Sequence, residues 1–232
     1  GDREDDGEED AGGGDVRLTT SMSGYFIVFE GGEGAGKSTQ ERLLAEALTG
    51  RGVTVVRTRE PGGTPAGEEI RRVVLSPEFA GLDPRAEALL FAAARGEHVA
   101  RVIRPALERG DIVICDRYLD SSVAYQGFAR GLGPVRVRDL SLWATGDLLP
   151  DLTVVLDIDP AEGLGRFDQR DRLEAEPLEY HQQVRSAFLT LAEEDPRRYL
   201  VLDARADVSV IAAAILARVV ADLDGDDDGA QG

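Results

Sequence analysis

Nine residues, Gly31, Gly32, Glu33, Gly34, Ala35, Gly36, Lys37, Ser38 and Thr39, separate the apolar run YFIVFE (25–30) from a stretch where Leu43, Leu44, Ala47 and Leu48 recur at helical spacing. This order constrains the fold more than any other feature of the chain. The apolar run reads as a buried strand, and the later segment as a helix closed by Gly50 and Gly52. Between them, the glycines let the backbone curl so that successive N–H groups point at phosphate oxygens. The helix adds its positive N-terminal end. Lys37 is spaced to reach the β- and γ-phosphates of a nucleotide, and the Ser38 hydroxyl to ligate Mg²⁺.

The remaining pattern supplies the rest of a sheet. VTVVRT from Val53, DIVIC at 111–115, LTVVLDI from Leu152 and YLVLDA from Tyr199 read as four further strands. Helical spacing links them: Ile70, Val73 and Val74; then 84–108, 135–143, 176–194 and 207–221. Short apolar strands alternating with amphipathic helices predict an α/β protein of three layers, a parallel sheet covered on both faces. Ligands gather beyond the carboxyl ends of such strands. The unusual polar segments stand there: the glycine loop, TREPGG after the second strand and DRY after the third.

Charge marks the domain limits. Of the net −18, residues 1–23 carry −6 and residues 222–232 carry −5, leaving −7 for residues 24–221. Both ends are rich in Gly and Asp with little to bury, so 1–23 and 222–232 are expected to be disordered acidic tails around one domain, 24–221. A chain this acidic lacks the broad basic surface of a general nucleic-acid binder. No 18-residue apolar span suits a membrane, and no signal core stands at the N-terminus. Cys115 is the lone cysteine, set in the apolar run IVIC; it reads as a buried strand thiol and fits a reducing cytoplasm. Met22 is the only methionine and the chain begins at Gly1, so either the native start is Met22 or this is one portion of a longer protein.

A nucleotide loop needs a destination for the phosphoryl group. Arg59 stands at a strand end in TREPGGT (58–64), where a Pro-Gly-Gly turn fixes its direction. Phe91 and Arg95 are four residues apart, hence on one helix face. The pair suits a base, the ring stacking and the guanidinium donating to its edge. Taken alone, such a pair more often belongs to an amphipathic helix with one residue in the core and the other in solvent. In DRYLDSSVAYQG (116–127), Asp116 is a candidate second-sphere magnesium ligand and Arg117 a phosphate clamp. Ser121, Tyr125 and Gln126 are candidate pocket groups. His98 and His181 are read as structural or exposed.

Together FEGGEGAGKST, TREPGGT, LLFAAARGEHV, DRYLDSSVAYQG, PDLTVVLDIDP and DRLE resemble the bacterial thymidylate kinases, continuously from about Tyr25 to Ala221. TREPGG joined to DRY and AYQG is far more specific than the phosphate loop, which many NTPases share. The resemblance implies a P-loop NTPase fold with a five-stranded parallel sheet and a short lid. It implies transfer of the γ-phosphoryl of MgATP to the 5′-phosphate of dTMP by a cytoplasmic homodimer. Carried over residue by residue, it has residues 31–39 hold ATP and Arg59 and Arg117 hold the acceptor phosphate. Phe91 stacks on thymine, Arg95 bonds its carbonyl edge and Gln126 lies near the base. Tyr125 crowds the sugar, and Glu33 lies near the sugar and its 3′-hydroxyl.

Where the loop carries a carboxylate and no basic residue, members of the family take catalytic arginines from the lid. Residues 165–174, GRFDQRDRLE, occupy that place, so Arg166, Arg170 and Arg172 are expected over the phosphates beside Lys37 and Arg117. DRLE matches the family. The stretch before it is a few residues shorter than usual, with Phe167 and Asp168 where basic or small residues are common. The nearest rival is a deoxynucleoside kinase, which would want a carboxylate base such as Glu33; the arginines at 59 and 117 argue for a phosphate acceptor. A non-catalytic nucleotide module is disfavoured by the intact Lys37, Ser38 and Asp116.

Overall fold

The computed structural model describes residues 24–166 and 171–228. Its strands are β1 (Tyr25–Gly31), β2 (Val55–Arg59), β3 (Ile112–Asp116), β4 (Leu152–Asp157) and β5 (Tyr199–Asp203). Its helices are α1 (Lys37–Thr49), α2 (Pro65–Leu75), α3 (Pro84–His98), α4 (Arg104–Glu108), α5 (Leu119–Ser122), α6 (Pro134–Thr145), α7 (Pro160–Leu164), α8 (Leu178–Glu194) and α9 (Val208–Asp228). Two π-helical stretches, Val99–Ile103 and Val123–Ala129, join α3 to α4 and prolong α5. All five expected strands are present, and they form one parallel sheet in the order β2-β3-β1-β4-β5.

The period of two along each strand divides the core between the two faces of the sheet. Phe26 and Val28 of β1 join Val113 and Cys115 of β3 in a cluster completed by Val99, Ile103, Val184 and Phe188. Tyr25, Ile27 and Phe29 turn the other way, with Ile112, Ile114, Val154 and Leu156, onto Leu44 and Leu48 of α1 and Ile211, Ile215 and Val219 of α9. Each fully buried Phe or Leu contributes roughly 2 kcal/mol. The Cys115 thiol is buried, as its apolar surroundings predict, and burial raises its pKa.

The expected boundary at residue 222 does not hold. Helix α9 runs on to Asp228. The apolar spacing of Ile211, Ile215 and Val219 extends four residues further to Leu223, which is buried. Asp222, assigned from composition to a solvated tail, accepts from the Tyr25 hydroxyl at 2.6 Å and from Arg218 at 2.9 Å. Charge density alone hid about two more helical turns. Residues 1–23 and 229–232 lie outside the described residues.

Because β1 has β3 on one side and β4 on the other, the chain leaves its carboxyl end at a topological switch point. The glycine loop, Arg59 at the end of β2 and Asp116 and Arg117 at the end of β3 converge there.

Candidate active site

Two glycines of the loop are required by close approach of other backbone. Gly31 has φ +132°, and a Cβ there would lie 2.4 Å from the Leu156 carbonyl oxygen. Gly34 has φ +70°, and its Cβ would lie 2.4 Å from the Gly163 carbonyl oxygen of α7. The loop is thus seated against β4 and α7 and leads directly into α1. Lys37 is buried, its ammonium donating to the Gly31 and Gly32 carbonyls at 3.3 and 3.2 Å. Burial, with the nearby Arg117 charge, lowers its pKa.

A cavity of about 430 Å³ opens over this loop. From the loop come Glu33 through Thr39; from the sheet ends Arg59, Glu60, Asp116 and Arg117; from the helices Arg71, Phe91, Ser121, Ser122, Tyr125 and Gln126. Arg166, Asp171, Leu173 and Glu174 close one side. Most residues read from the sequence as donor or acceptor groups therefore line one space. Gly31 and Gly32 lie just behind its loop wall.

Arg117 and Glu33 are its electrostatic centre. Arg117 adopts φ +66° and donates through Nη2 to Glu33 Oε1 at 2.6 Å and through Nη1 to Ser121 Oγ at 3.1 Å. The Tyr125 hydroxyl donates to the same Glu33 oxygen at 2.9 Å, and the Arg117 guanidinium stands over the Tyr125 ring. Burial opposes the Glu33 charge, but Arg117, Lys37 and the Tyr125 hydroxyl outweigh it and hold the carboxyl at about 2. The carboxylate in a loop for anions is thus neutralised by its own arginine.

Other arginines ring the cavity. Arg59, half exposed, pairs with Glu68 at 3.0 Å. Arg71 of α2 donates to the Pro61 carbonyl at 2.8 Å, and burial together with the Arg59 charge lowers its pKa. Arg166 reaches from the end of α7 to the Gly34 carbonyl at 2.7 Å and holds Glu162 at 3.1 Å.

Two expected site arginines are placed elsewhere. Arg172, expected over the phosphates, is buried away from the cavity. It pairs with Glu87 at 2.6 Å and donates through Nε to the Val74 carbonyl at 2.8 Å. Glu87 has no solvent exposure and is neutralised inside the domain by Arg172 together with Arg130, which pairs with it at 3.3 Å. Arg172 therefore anchors the lid to α2 and α3. Arg95 lies beneath the cavity floor, bonded to Glu60, Ser141, the Tyr118 carbonyl and Ser122 at 2.7–3.0 Å. Phe91, one turn before it, reaches the cavity; Gln126 does so too while donating to Glu87 at 2.8 Å. Arg170, with Phe167 and Asp168, lies outside the described residues. Both histidines are buried, His98 bonded to Thr58 and Glu60, His181 set edge-on to Tyr180.

The sequence reading missed Arg71 and Glu30. Arg71 sits among Glu68, Glu69 and Arg72 and looks like one more solvated helix charge; only its distance from the preceding turn, within reach of Arg59, marks it. Glu30 is fully buried at the end of β1, and a charge closing an apolar strand was the available signal.

The donor set suits a hard divalent cation. Ser38 and Thr39 face the cavity, and Asp116 Oδ1 is shielded from solvent without a hydrogen-bond partner. Among the described residues no cluster of three or more His, Cys, Asp or Glu side chains could cage a metal. One carboxylate and one hydroxyl match Mg²⁺, which keeps its waters and takes further oxygens from nucleotide phosphates.

A sequence model of the thymidylate kinase family matches residues 29–215. The thymidylate kinase of Clavibacter sepedonicus is 57% identical over 201 residues, covering 85% of this chain and 95% of that protein. That of Leifsonia xyli subsp. xyli is 56% identical over 208 residues, covering 88% and 98%. A crystal structure of the thymidylate kinase from Ehrlichia chaffeensis superposes with a TM-score of 0.71 at 33% identity, covering 85% of this chain and all of that one.

Proposed function

The chain belongs to the thymidylate kinase family, and on that premise we propose how its cavity carries out the reaction. The enzyme phosphorylates dTMP to dTDP at the expense of ATP. Residues 31–39 cradle the ATP phosphates, the loop N–H groups and the α1 N-terminus supplying positive potential. Lys37 exchanges its two loop carbonyls for β- and γ-phosphate oxygens. Ser38 and Asp116 hold Mg²⁺, which supplies charge neutralisation across the phosphates when bound.

The acceptor occupies the other half of the cavity. Arg117, Arg59 and Arg71 neutralise and orient its 5′-phosphate, and Phe91 stacks on the thymine. Gln126 and Ser122, the latter tied to Arg95, meet the base edge. Tyr125 and Glu33 face the sugar. An acceptor that is already an anion needs positioning and neutralisation, not a base, and phosphoryl transfer draws little covalent help from a protein. Arg166 reaches across the glycine loop to the transferring group and disperses its charge.

Other features support finer readings of the same kind. Leu89 on α3 and Val135 and Trp143 on α6 are exposed, Trp143 by 80%. The two helices are in contact, Gly96 lying so close to the Ala144 carbonyl that a Cβ would come within 2.9 Å of its oxygen. We assign this face to a homodimer contact. Among the described residues no helix is long and apolar enough to cross a membrane. A cytoplasmic site of action, where ATP is abundant, is proposed with it.

The observation that carries this reading is the convergence of Arg59, Arg71 and Arg117 opposite Lys37 in one cavity. ADP release from MgATP, measured with dTMP, dUMP, dCMP, dGMP and thymidine, tests it. The expected result is turnover fastest with dTMP. Thymidine outpacing dTMP would mean a hydroxyl acceptor and overturn the assignment of the arginines.

A further inference from the structure

We infer that Glu30 is a positioning residue for the transfer, clamping the 117–121 turn so that Arg117 stands at a fixed distance from the donor loop. The residue is the last but one of β1, immediately before Gly31, and has no solvent exposure. Its Oε1 accepts from the Tyr118 and Ser121 backbone N–H groups at 2.9 and 3.0 Å. Its Oε2 accepts from the Ser121 hydroxyl at 2.6 Å, and that hydroxyl oxygen accepts in turn from Arg117 Nη1 at 3.1 Å. The Arg117 backbone N–H donates to the Phe29 carbonyl at 2.9 Å. Two consecutive residues of the strand that launches the donor loop thus hold the backbone and the side chain of the acceptor arginine.

The need for such a clamp follows from conformation. Arg117 is left-handed, with φ +66°, which residues carrying a Cβ disfavour and which persists only when the surroundings over-determine it. The N–H groups of residues 118 and 121 flank it inside the domain and would be costly to leave unpaired. One carboxylate satisfies both and still orients the Ser121 hydroxyl, whose proton goes to Glu30 and whose lone pair is left for Arg117. An amide cannot reproduce this. In a Glu30→Gln variant the NH₂ either faces the two backbone N–H groups, with no lone pair for them, or donates to Ser121 Oγ and leaves the hydroxyl proton without its acceptor. Burial pushes the Glu30 carboxyl up to about 7, and Arg117, the Ser121 hydroxyl and the Tyr118 N–H oppose that shift; its charge also supports that of Lys37.

The inference rests on the assignment of Arg117 to the acceptor phosphate, so the experiment separates the two. Steady-state kinetics are measured for the wild type, Glu30→Gln, Ser121→Ala and Arg117→Met, with KM for dTMP and for ATP determined separately and the folded fraction checked by thermal unfolding. Glu30→Gln is expected to raise the dTMP KM about tenfold, the scale of one lost hydrogen bond to a charged partner, and to leave the ATP KM within about twofold. Ser121→Ala, which breaks the relay and takes one of three donors from the carboxylate while keeping its two backbone N–H partners, raises the dTMP KM by a smaller factor and decides the matter if Glu30→Gln does not fold. A merely structural role would lower the active fraction and kcat without splitting the two KM values. If both variants keep the wild-type dTMP KM while Arg117→Met raises it, the clamp is wrong and the acceptor assignment stands. If Arg117→Met also leaves it unchanged, both fail.

Discussion

Replacing Glu33 by Gln tests the electrostatic centre of the site quantitatively. The Glu33 carboxyl titrates at about 2, against an ordinary 4.5. At 1.36 kcal/mol per pH unit, a displacement of that size corresponds to about 3 kcal/mol of native-state stabilisation. The pair is 16% and 18% exposed, and allowance for solvent screening brings this to about 2 kcal/mol. The sign is that of a depressed carboxylate: the contribution is complete above about pH 4.5 and disappears as the pH falls toward 2. Gln keeps the shape and a carbonyl oxygen for Arg117 and the Tyr125 hydroxyl but removes the charge, leaving a largely buried guanidinium without its partner. Urea unfolding followed by far-ultraviolet circular dichroism is run on both proteins at pH 7, 5 and 2.5, with linear extrapolation. We expect the wild type to be more stable by about 2 kcal/mol at pH 7 and 5, and the gap to fall below about 0.5 kcal/mol at pH 2.5. A gap equal at all three pH values would show that the interaction is not between charges.

Arg166→Met is expected to lower kcat about 100-fold with unfolding unchanged, while Arg172→Met costs about 2 kcal/mol of stability, less than an uncompensated buried charge because Arg130 and Gln126 stay on Glu87, and leaves kcat of the folded enzyme within about threefold; kinetics paired with urea titration distinguish them. Burial, and then Asp116, raises the Glu41 carboxyl to about 7. That is stability present below about pH 4.5 and lost as the pH rises through 7, so Glu41→Gln should be the more stable protein at pH 8 by up to about 3 kcal/mol, the difference closing at pH 5. Trp143→Glu is expected to shift sedimentation from dimer to monomer; an unchanged sedimentation coefficient would place the contact elsewhere.

The order of the strands in the sheet was not legible in the sequence, but the location of all five was. The central ones, β1, β3 and β4, are buried on both faces and so nearly apolar throughout, and the edge strands β2 and β5 keep short apolar runs. The donor loop was equally legible, since its glycines are set by backbone geometry that few other residues tolerate. Arginine roles were less so. Arg117, Arg166 and Arg172 all stand in charged local sequence, and nothing local distinguishes the one bonded to Glu33 from the one buried on Glu87. That difference arises from α3 bringing Glu87 beneath the lid, a contact between segments 85 residues apart in sequence. Arg95 was hard to place for the same reason: four partners from three other segments take up its guanidinium. The acidic C-terminal turn was misjudged because Asp222 carries a charge that composition assigns to solvent, whereas Tyr25 and Arg218 bind it.

The central claim is that the arginine cluster at the ends of β2 and β3 exists for the phosphate of the acceptor, with Arg117 foremost. Calorimetric titration of the wild type and of Arg117→Met with dTMP and with thymidine, which lacks only that phosphate, measures it directly. The wild type is expected to bind dTMP at least about 30-fold more tightly than thymidine, and Arg117→Met to lose most of this ratio by weakening dTMP alone, as for removal of a charge-assisted contact. A ratio unchanged in Arg117→Met, or an equal loss for both ligands, would contradict it.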